Sequence, residues 1–297
     1  MILFFNLLFL NIYDKIHIID GGNMNSNKTD KKDYLIALDL DGTLIQGLDN
    51  YDKISFAFLK ELAKTNYIVI ATGRPLRSSK YYYDLLELNT PIINYNGALV
   101  HNPNDSLFPK TVINVDRNMI IDIFNNNIDV IENIFCEIED DIYLYKESKI
   151  AEKYLHQQGG RTFLGDINTT LKNNPNGAIV FSKHGSEKQL EAFIETNYKD
   201  ILKIRFWDDE ECVVSEIYNP LTTKANGLKK IIDYYQIPYE KTIAIGDGHN
   251  DIDMINLVKY GVAMGNSHPL LLNEAKYITK GVKENGVYHC LKKFFKK

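Results

Sequence analysis

Four short stretches of this chain are predominantly apolar, and a polar residue follows each within two positions. The stretches are Leu35 to Leu38, Ile68 to Ala71, Thr242 to Ile245 and Gly261 to Met264, and Pro91 to Tyr95 is a candidate fifth strand. Continuous rather than alternating apolarity is expected of parallel strands that helices cover on both faces. Helical patterning separates the stretches, and this alternation predicts an α/β fold with a doubly wound parallel sheet.

Two acids stand directly after the first of these strands, in the sequence DLDGT that begins at Asp39. A chain that leaves its strand can turn both carboxylates toward one opening, although successive strand residues face opposite sides. Asp39 is the candidate nucleophile, because a carboxylate can accept a phosphoryl group as an aspartyl-phosphate. Asp41 is the candidate general acid, which protonates the leaving oxygen and then activates water. Taken alone, the pair is equally consistent with a turn capped by two acids.

The third strand runs into a second acidic segment, GDGHND, which contains Asp247 and Asp251. Magnesium prefers oxygen ligands in octahedral geometry. We expect one carboxylate oxygen each from Asp39 and Asp247, and the backbone carbonyl of Asp41, to bind Mg²⁺. Asp251 is a further candidate of the metal site, where it would hold a metal-bound water or a lysine, and it is also suited to capping the next helix.

Five residues near strand ends and helix starts are candidate phosphate contacts. Gly42 lacks side-chain bulk, so that backbone N–H groups can approach phosphate oxygens. The hydroxyl of Thr72 and the N–H of Gly73 can bind phosphate, although Thr72 is also suited to capping a helix. Lys224 lies at a helix start, where the helix dipole disfavours a cation unless an anion is bound nearby. Asn250 can donate its side-chain amide to phosphate.

The middle of the chain differs from these two parts, because strand-like and helical patterns are mixed there and none of the phosphate or metal motifs occurs. We interpret it as an inserted α+β domain. The predicted boundaries are residues 34–100 and 217–297 for the core, residues 101–216 for the insertion, and residues 1–33 for an N-terminal extension.

The first thirteen residues, MILFFNLLFLNIY, are strongly apolar. They are too few to span a bilayer as a helix, and they lack the basic start and small-residue cleavage site of a secretory signal. Three interpretations stay open: a natural start at Met24, which would place residues 1–23 outside the natural protein, a weakly membrane-associating segment, and an additional packed strand.

Composition narrows the classes of partner and compartment. The 297 residues carry a formal net charge of −5 without a long basic block, which argues against nucleic acid as the main partner. Three widely separated cysteines suggest no disulfide framework and fit a cytoplasmic protein. We expect a small phosphorylated molecule as the ligand and no membrane partner, while the oligomeric state is left open.

The motifs together resemble those of the haloacid dehalogenase superfamily, and most closely its Cof-like phosphatases of subclass IIB. The resemblance extends from Tyr34 to the end of the chain. Its residues are the DLDGT segment, Thr72 with Gly73-Arg74, Lys224, the GDGHND segment, Asn96-Gly97-Ala98 and Ala263-Met264-Gly265-Asn266. One small departure is Lys224-Ala225-Asn226-Gly227, since glycine more commonly follows the lysine directly.

The resemblance implies a Rossmann-like core with an α/β cap inserted between the second and third motifs. It also implies Asp39 as nucleophile, Asp41 as acid/base, Asp247 as magnesium ligand, and Thr72 and Lys224 as phosphate contacts. The leading hypothesis is a magnesium-dependent phosphatase of small phosphorylated metabolites, such as sugar phosphates or phosphorylated cofactors. The alternatives are a sugar phosphomutase or phosphotransferase, and a non-catalytic sensor of phosphometabolites.

Overall fold

A computed structural model describes residues 32–47, 50–155 and 159–295 of the chain, which forms two compact units. The first unit holds the described residues up to Thr72, then Tyr82–Lys110, and the chain from Thr223 onward. The second consists of Gly73–Tyr81 and Thr111–Thr222. The domain limits predicted from the sequence stay a prediction. The predictions about residues 1–23 and about a natural start at Met24 concern residues outside the described ranges.

The first unit is built on a parallel five-stranded sheet with the order β16-β15-β14-β1-β4. Its strands are β1 (Leu35–Leu38), β4 (Tyr67–Ile70), β14 (Thr242–Gly246), β15 (Tyr260–Ala263) and β16 (Tyr277–Ile278). Its helices are α1 (Lys53–Leu62), α7 (Lys224–Tyr235), α8 (Ile252–Leu257), α9 (Pro269–Glu274) and α10 (Gly286–Phe294). Two short strands, β2 (Ile45–Gln46) and β3 (Asn50–Tyr51), pair with each other after β1.

Every residue of β1 is buried, as the continuous apolar sequence predicts for a strand covered on both faces. On one face, Leu35 belongs to an apolar cluster with Leu228 of α7 and Met254 of α8. Each fully buried side chain of this kind stabilises the fold by about 1.5–3 kcal/mol. Between α1 and α10, the rings of Phe58 and Tyr288 make an edge contact. Because β1 and β14 are neighbouring parallel strands, their carboxyl ends lie side by side at one edge of the sheet.

The segment from Pro91 to Tyr95, which the sequence suggested as a fifth parallel strand, behaves differently. It forms β5 (Ile92–Asn94), which pairs antiparallel with β6 (Leu99–His101). A single parallel bridge, between Ala71 and Ile93, connects it with the end of β4. The reason lies in the tight turn between β5 and β6, which folds the chain back on itself instead of returning it through a helix.

The second unit has a six-stranded sheet with the order β10-β9-β8-β11-β13-β12. All its pairs are antiparallel except β9 with β10. The strands of this sheet are β8 (Ile131–Ile138), β9 (Asp141–Leu144), β10 (Thr162–Leu164), β11 (Ala178–Ser182), β12 (Lys203–Asp208) and β13 (Val213–Tyr218), and the unit also contains β7 (Thr111–Val112) outside the sheet. The helices are α3 (Arg117–Asn126), α4 (Lys149–Tyr154), α5 (Ile167–Thr170) and α6 (Glu187–Asn197), and α2 (Leu76–Leu85) begins in this unit.

Helices α3 and α6 pack their apolar residues, among them Ile123 and Leu190, against one face of this sheet, and a second apolar cluster forms around Phe135 and Phe181. The mixed pattern of the sequence thus corresponds to an α+β unit. Among the described residues, no helix has both the length and the apolarity that crossing a membrane requires.

Candidate active site

The acids predicted from the first and third strands meet at one edge of the parallel sheet. Asp39 follows β1, and its backbone N–H donates to the carbonyl of Ile245 in β14 at 3.0 Å. Asp247 follows β14 directly, and Asp251 ends a short 3₁₀ turn before α8. One carboxylate oxygen from each of Asp39, Asp247 and Asp251 lies within 4.8 Å of the other two. The carboxyl-end rule for parallel sheets accounts for this convergence.

The ammonium group of Lys224, at the start of α7, lies between two of these acids. Its Nζ is 2.5 Å from Oδ1 of Asp39 and 2.6 Å from Oδ1 of Asp251. The lysine side chain is fully buried, which by itself lowers the pKa of an ammonium, but the carboxylates of Asp251 and Asp39 raise the pKa of Lys224 above its usual value. Lys224 is therefore charged in this site.

Asp251 uses both of its carboxylate oxygens within the protein. Oδ1 accepts from Lys224, while Oδ2 accepts from the backbone N–H groups of Asp247 and Gly248, at 3.0 and 2.9 Å. These bonds shape the loop that carries Asp247 and hold the lysine in place. The geometry favours holding the lysine over a direct metal contact as the role of Asp251, and both assignments stay predictions.

Asp247 lies beside Gly42, and the two positions fit only because Gly42 has no side chain. A Cβ at Gly42, where φ is +76°, would lie 2.1 Å from Oδ2 of Asp247. Oδ1 of Asp247 accepts from the hydroxyl of Thr43 at 3.0 Å. The amide N–H of Gly42 donates to the carbonyl of Ile45 at 2.8 Å, so phosphate contact by Gly42 stays a prediction.

The site contains more carboxylates than ammonium groups, since three aspartates surround the single lysine. Burial and the negative charge of Asp251 raise the pKa of Asp247 to about 6. Burial raises the pKa of Asp39 as well, against the opposing effect of the Lys224 ammonium. Three carboxylates around one ammonium leave uncompensated negative charge, and their oxygens are hard donors. The set fits a divalent cation such as Mg²⁺.

Asp41 comes shortly after Asp39 in the chain, at the start of the turn toward β2, and its side chain is exposed. An exposed acid beside a buried one can meet the leaving group of a ligand bound from solvent.

The remaining predicted phosphate contacts come from two separate segments. Thr72 is buried, and its backbone N–H donates to the carbonyl of Ile93 at 2.9 Å. Gly73 follows it in the chain as the first residue of the second unit. Asn250 lies in the 3₁₀ turn after β14, and its Nδ2 donates to Oδ1 of Asn96 at 2.9 Å.

The sequence analysis assigned no role to three residues that contact these groups. Thr43 bonds to Asp247, and Asn96 bonds to Asn250, as described above. Nδ2 of Asn266 donates to the carbonyl of Gly42 at 2.8 Å, while its Oδ1 accepts from the N–H of Val282 at 2.8 Å. All three lie in segments that the sequence singled out as motifs, but composition and spacing do not show which side chain a hydrogen bond will reach.

Comparison with known proteins places this arrangement in a family. The family described as haloacid dehalogenase-like hydrolase matches residues 36–291. Among curated relatives, 5-amino-6-(5-phospho-D-ribitylamino)uracil phosphatase YitU of Bacillus subtilis is 32% identical over 270 residues, which cover 89% of this chain and 98% of that protein. A putative phosphatase of Metamycoplasma hominis is 29% identical and covers 89% and 97% of the two chains.

Solved structures show the same fold. A haloacid dehalogenase-like hydrolase from Bacteroides thetaiotaomicron matches with a TM-score of 0.74 at 23% identity, over 88% of this chain and 99% of that one. A sugar phosphatase of haloacid dehalogenase subclass IIB matches with a TM-score of 0.71 at 22% identity, over 88% and 98%. The predicted family, fold class and enzyme class, a hydrolase of the phosphatase type, are confirmed. The chain belongs to the haloacid dehalogenase-like hydrolases.

Proposed function

We propose that this protein is a magnesium-dependent phosphatase that hydrolyses small phosphorylated metabolites through an aspartyl-phosphate on Asp39. The observation that carries the proposal is the buried Lys224 ammonium, 2.5 Å from Asp39 and 2.6 Å from Asp251. A lysine held there places a positive charge beside the candidate nucleophile, where a phosphate group would arrive.

In the first half of the reaction, an oxygen of Asp39 attacks phosphorus and the bond from phosphorus to the leaving oxygen breaks. Asp41 gives its proton to that oxygen, which leaves as an alcohol. In the second half, the Asp41 carboxylate takes a proton from water, and the water oxygen attacks the same phosphorus. The bond to Asp39 then breaks and inorganic phosphate is released.

Asp39 and Asp247 would hold Mg²⁺ with the backbone carbonyl of Asp41, and the ion would offset the charge of the phosphate. Lys224 favours the ionised form of Asp39, which the nucleophile needs and which burial alone disfavours. Thr43 and Asp251 position the metal-binding loop through their bonds to Asp247. Thr72, Gly73 and Asn250 are assigned to the phosphate oxygens, together with Lys224.

The substrate class is proposed from the relatives. The Bacillus subtilis protein is named for a phosphorylated ribityl chain attached to a uracil ring, and the subclass IIB structure is described as a sugar phosphatase. Both names describe a phosphate ester on a sugar or sugar alcohol. We therefore propose such esters, including those that carry a heterocycle, as the substrates, with the cytoplasm as the place of action.

The test is phosphate release from p-nitrophenyl phosphate and from a panel of esters, with Mg²⁺ and with EDTA. The panel contains hexose phosphates, ribitol phosphate, the phosphoribitylaminouracil, flavin mononucleotide and pyridoxal phosphate. The proposal expects magnesium-dependent release that is fastest on a sugar or ribityl ester. Phosphoryl transfer to a sugar hydroxyl without release would indicate the phosphomutase alternative. Phosphate binding without any turnover would indicate the sensor.

A further inference from the structure

Between β5 and β6 the chain makes a left-handed turn through Tyr95, Asn96 and Gly97. Their φ angles are 50°, 53° and 107°. Glycine adopts such angles freely and asparagine tolerates them, but a bulky residue such as Tyr95 does so rarely. Backbone of this kind persists only where its surroundings hold it, and it is concentrated at functional sites.

Asn96 connects two of the candidate phosphate-binding segments. It is only 7% exposed. Its backbone N–H donates to the carbonyl of Thr72 at 3.0 Å, and its side-chain Oδ1 accepts from Nδ2 of Asn250 at 2.9 Å. The end of β4 and the turn after β14 are therefore held to each other through a single residue.

The same turn lies against the start of α7. A Cβ placed on Gly97 would lie 2.2 Å from the carbonyl oxygen of Thr223, the residue before Lys224. The close approach requires glycine at this position, and it brings the turn next to the segment that carries the buried lysine. Three candidate phosphate-binding segments, far apart in the sequence, thus meet at one strained turn.

We propose that Asn96 is a positioning residue for phosphate binding, whose side-chain oxygen orients the amide of Asn250 while its backbone fixes Thr72. This inference rests on the proposed function of the site. A glycine would serve the left-handed backbone equally well, so the backbone alone does not require asparagine. The side-chain oxygen supplies the additional contact, because it fixes which way the Asn250 amide points.

The substitution Asn96→Gly separates the two roles, since it keeps the left-handed conformation and removes only the side chain. Calorimetry with inorganic phosphate, on the full chain with Mg²⁺, should show affinity about three- to tenfold weaker than wild type, as for loss of one hydrogen bond. KM should rise by a similar factor while kcat changes less. Asn285→Gly is the matched control, because Asn285 has φ 55° and ψ 48° at the start of α10, and it should bind phosphate like wild type.

A double-mutant cycle with Asn250→Ala decides whether Asn96 acts through Asn250. The double variant should bind phosphate no more weakly than Asn250→Ala alone, because the second change removes a bond that is already lost. Additive losses, or wild-type affinity of Asn96→Gly, would overturn the inference. Asn250→Ala leaves the backbone of the turn untouched, so wild-type phosphate affinity of this variant would overturn the inference even if Asn96→Gly melts early.

The failure of this inference is distinguishable from failure of the proposed function. A wild-type chain that binds phosphate but hydrolyses no ester would refute the phosphatase, while the phosphate affinities of the variants would still decide the role of Asn96. A wild-type chain without measurable phosphate affinity would overturn both.

Discussion

The two units of this protein both bury ionised groups, but they balance the charges differently. In the first unit, one ammonium, that of Lys224, lies among the carboxylates of Asp39, Asp247 and Asp251. Negative charge there exceeds positive charge, and burial raises the pKa of Asp39 and Asp247. Such an arrangement is unfavourable without a further cation, and this is the reason to assign it to function rather than to stability.

In the second unit the buried charges occur mainly as pairs. Arg77, with a side chain 3% exposed, pairs with Glu137 and lies 3.8 Å from the half-exposed Asp140, and the largely buried Arg205 pairs with Glu216. Arginine matches a carboxylate geometrically and stays charged, which suits a structural pair. The comparison teaches that surplus carboxylates buried around one ammonium indicate a cation-binding site, whereas an arginine paired with one largely buried carboxylate indicates structural cohesion.

The largest effect is expected from Asp39→Asn, which keeps the shape of the side chain and removes its charge. Turnover of p-nitrophenyl phosphate should fall about a thousandfold or more, since the nucleophile is lost. Stability, measured by urea unfolding without Mg²⁺, should not fall, because the variant relieves a buried charge. Activity within about tenfold of wild type, roughly 1.4 kcal/mol of barrier, would refute Asp39 as nucleophile.

Removal of Lys224 tests the same excess of buried negative charge, because it takes away the positive charge that partly offsets it. Lys224→Met should lower kcat/KM about a hundredfold or more, which is ~2.7 kcal/mol of transition-state stabilisation. It should also lower the free energy of unfolding, because it leaves buried carboxylates uncompensated. Lys229→Met is the control on the same helix, where Lys229 is 61% exposed and pairs with Asp233. Equal behaviour of the two variants would contradict the role of Lys224.

In the second unit, loss of a buried charge should lower the free energy of unfolding. Arg77→Met leaves Glu137 buried without its arginine and should lower the free energy of unfolding by about 3–5 kcal/mol. Arg161→Met is the control in the same unit, since Arg161 is 76% exposed in its pair with Asp141, and little or no loss of stability is expected there. Urea unfolding measures both. A loss at Arg77 as small as that at Arg161 would show that buried pairing is not what stabilises this unit.

A smaller effect follows from the pKa of Asp247, which rises from 3.8 to about 6 on folding. A carboxyl group with a raised folded pKa favours the folded state at low pH, and this contribution is lost as pH rises between about 4 and 6. Compared with Asp247→Asn, the metal-free wild-type protein should lose about 2–3 kcal/mol more stability over that range. Magnesium needs the ionised carboxylate, so its stabilising effect should be larger at pH 7.5 than at pH 5. Melting temperatures with Mg²⁺ and with EDTA check both expectations, and an equal magnesium effect at the two pH values would contradict them.

Much of the first unit was predictable from sequence, because its signals are local. The bounds of β1 agree with the predicted Leu35–Leu38, α7 begins at Lys224 as predicted, and the strand predicted from Ile68 to Ala71 is shifted by one residue. The antiparallel pairing of β5 was missed, although Asn96-Gly97 between apolar runs is a hairpin signal. Continuous apolarity shows that a strand is buried, but not which neighbour it pairs with.

The candidate site shows the same division between local and long-range information. Residue type and position relative to strand ends were sufficient to select Asp39, Asp247, Asp251 and Lys224. The sequence left two candidate contacts for Asp251, a metal-bound water or a lysine, and spacing alone could not choose between them, since the bond to Lys224 joins residues 27 positions apart. Nor could it explain the glycine at position 227, whose Cβ would lie 2.9 Å from Ile93. The glycine at that position allows α7 to pack closely on β5.

The most direct test of the central claim is to trap the phosphoryl group on Asp39. The variant Asp41→Asn should still be phosphorylated by p-nitrophenyl phosphate, whose leaving group needs little protonation, but should release phosphate slowly because no base activates water. With Mg²⁺, the account predicts a burst of nitrophenol stoichiometric with enzyme, and peptide mass spectrometry should find the phosphoryl group on Asp39. Steady turnover without a burst, or the phosphoryl group on another residue, would contradict it.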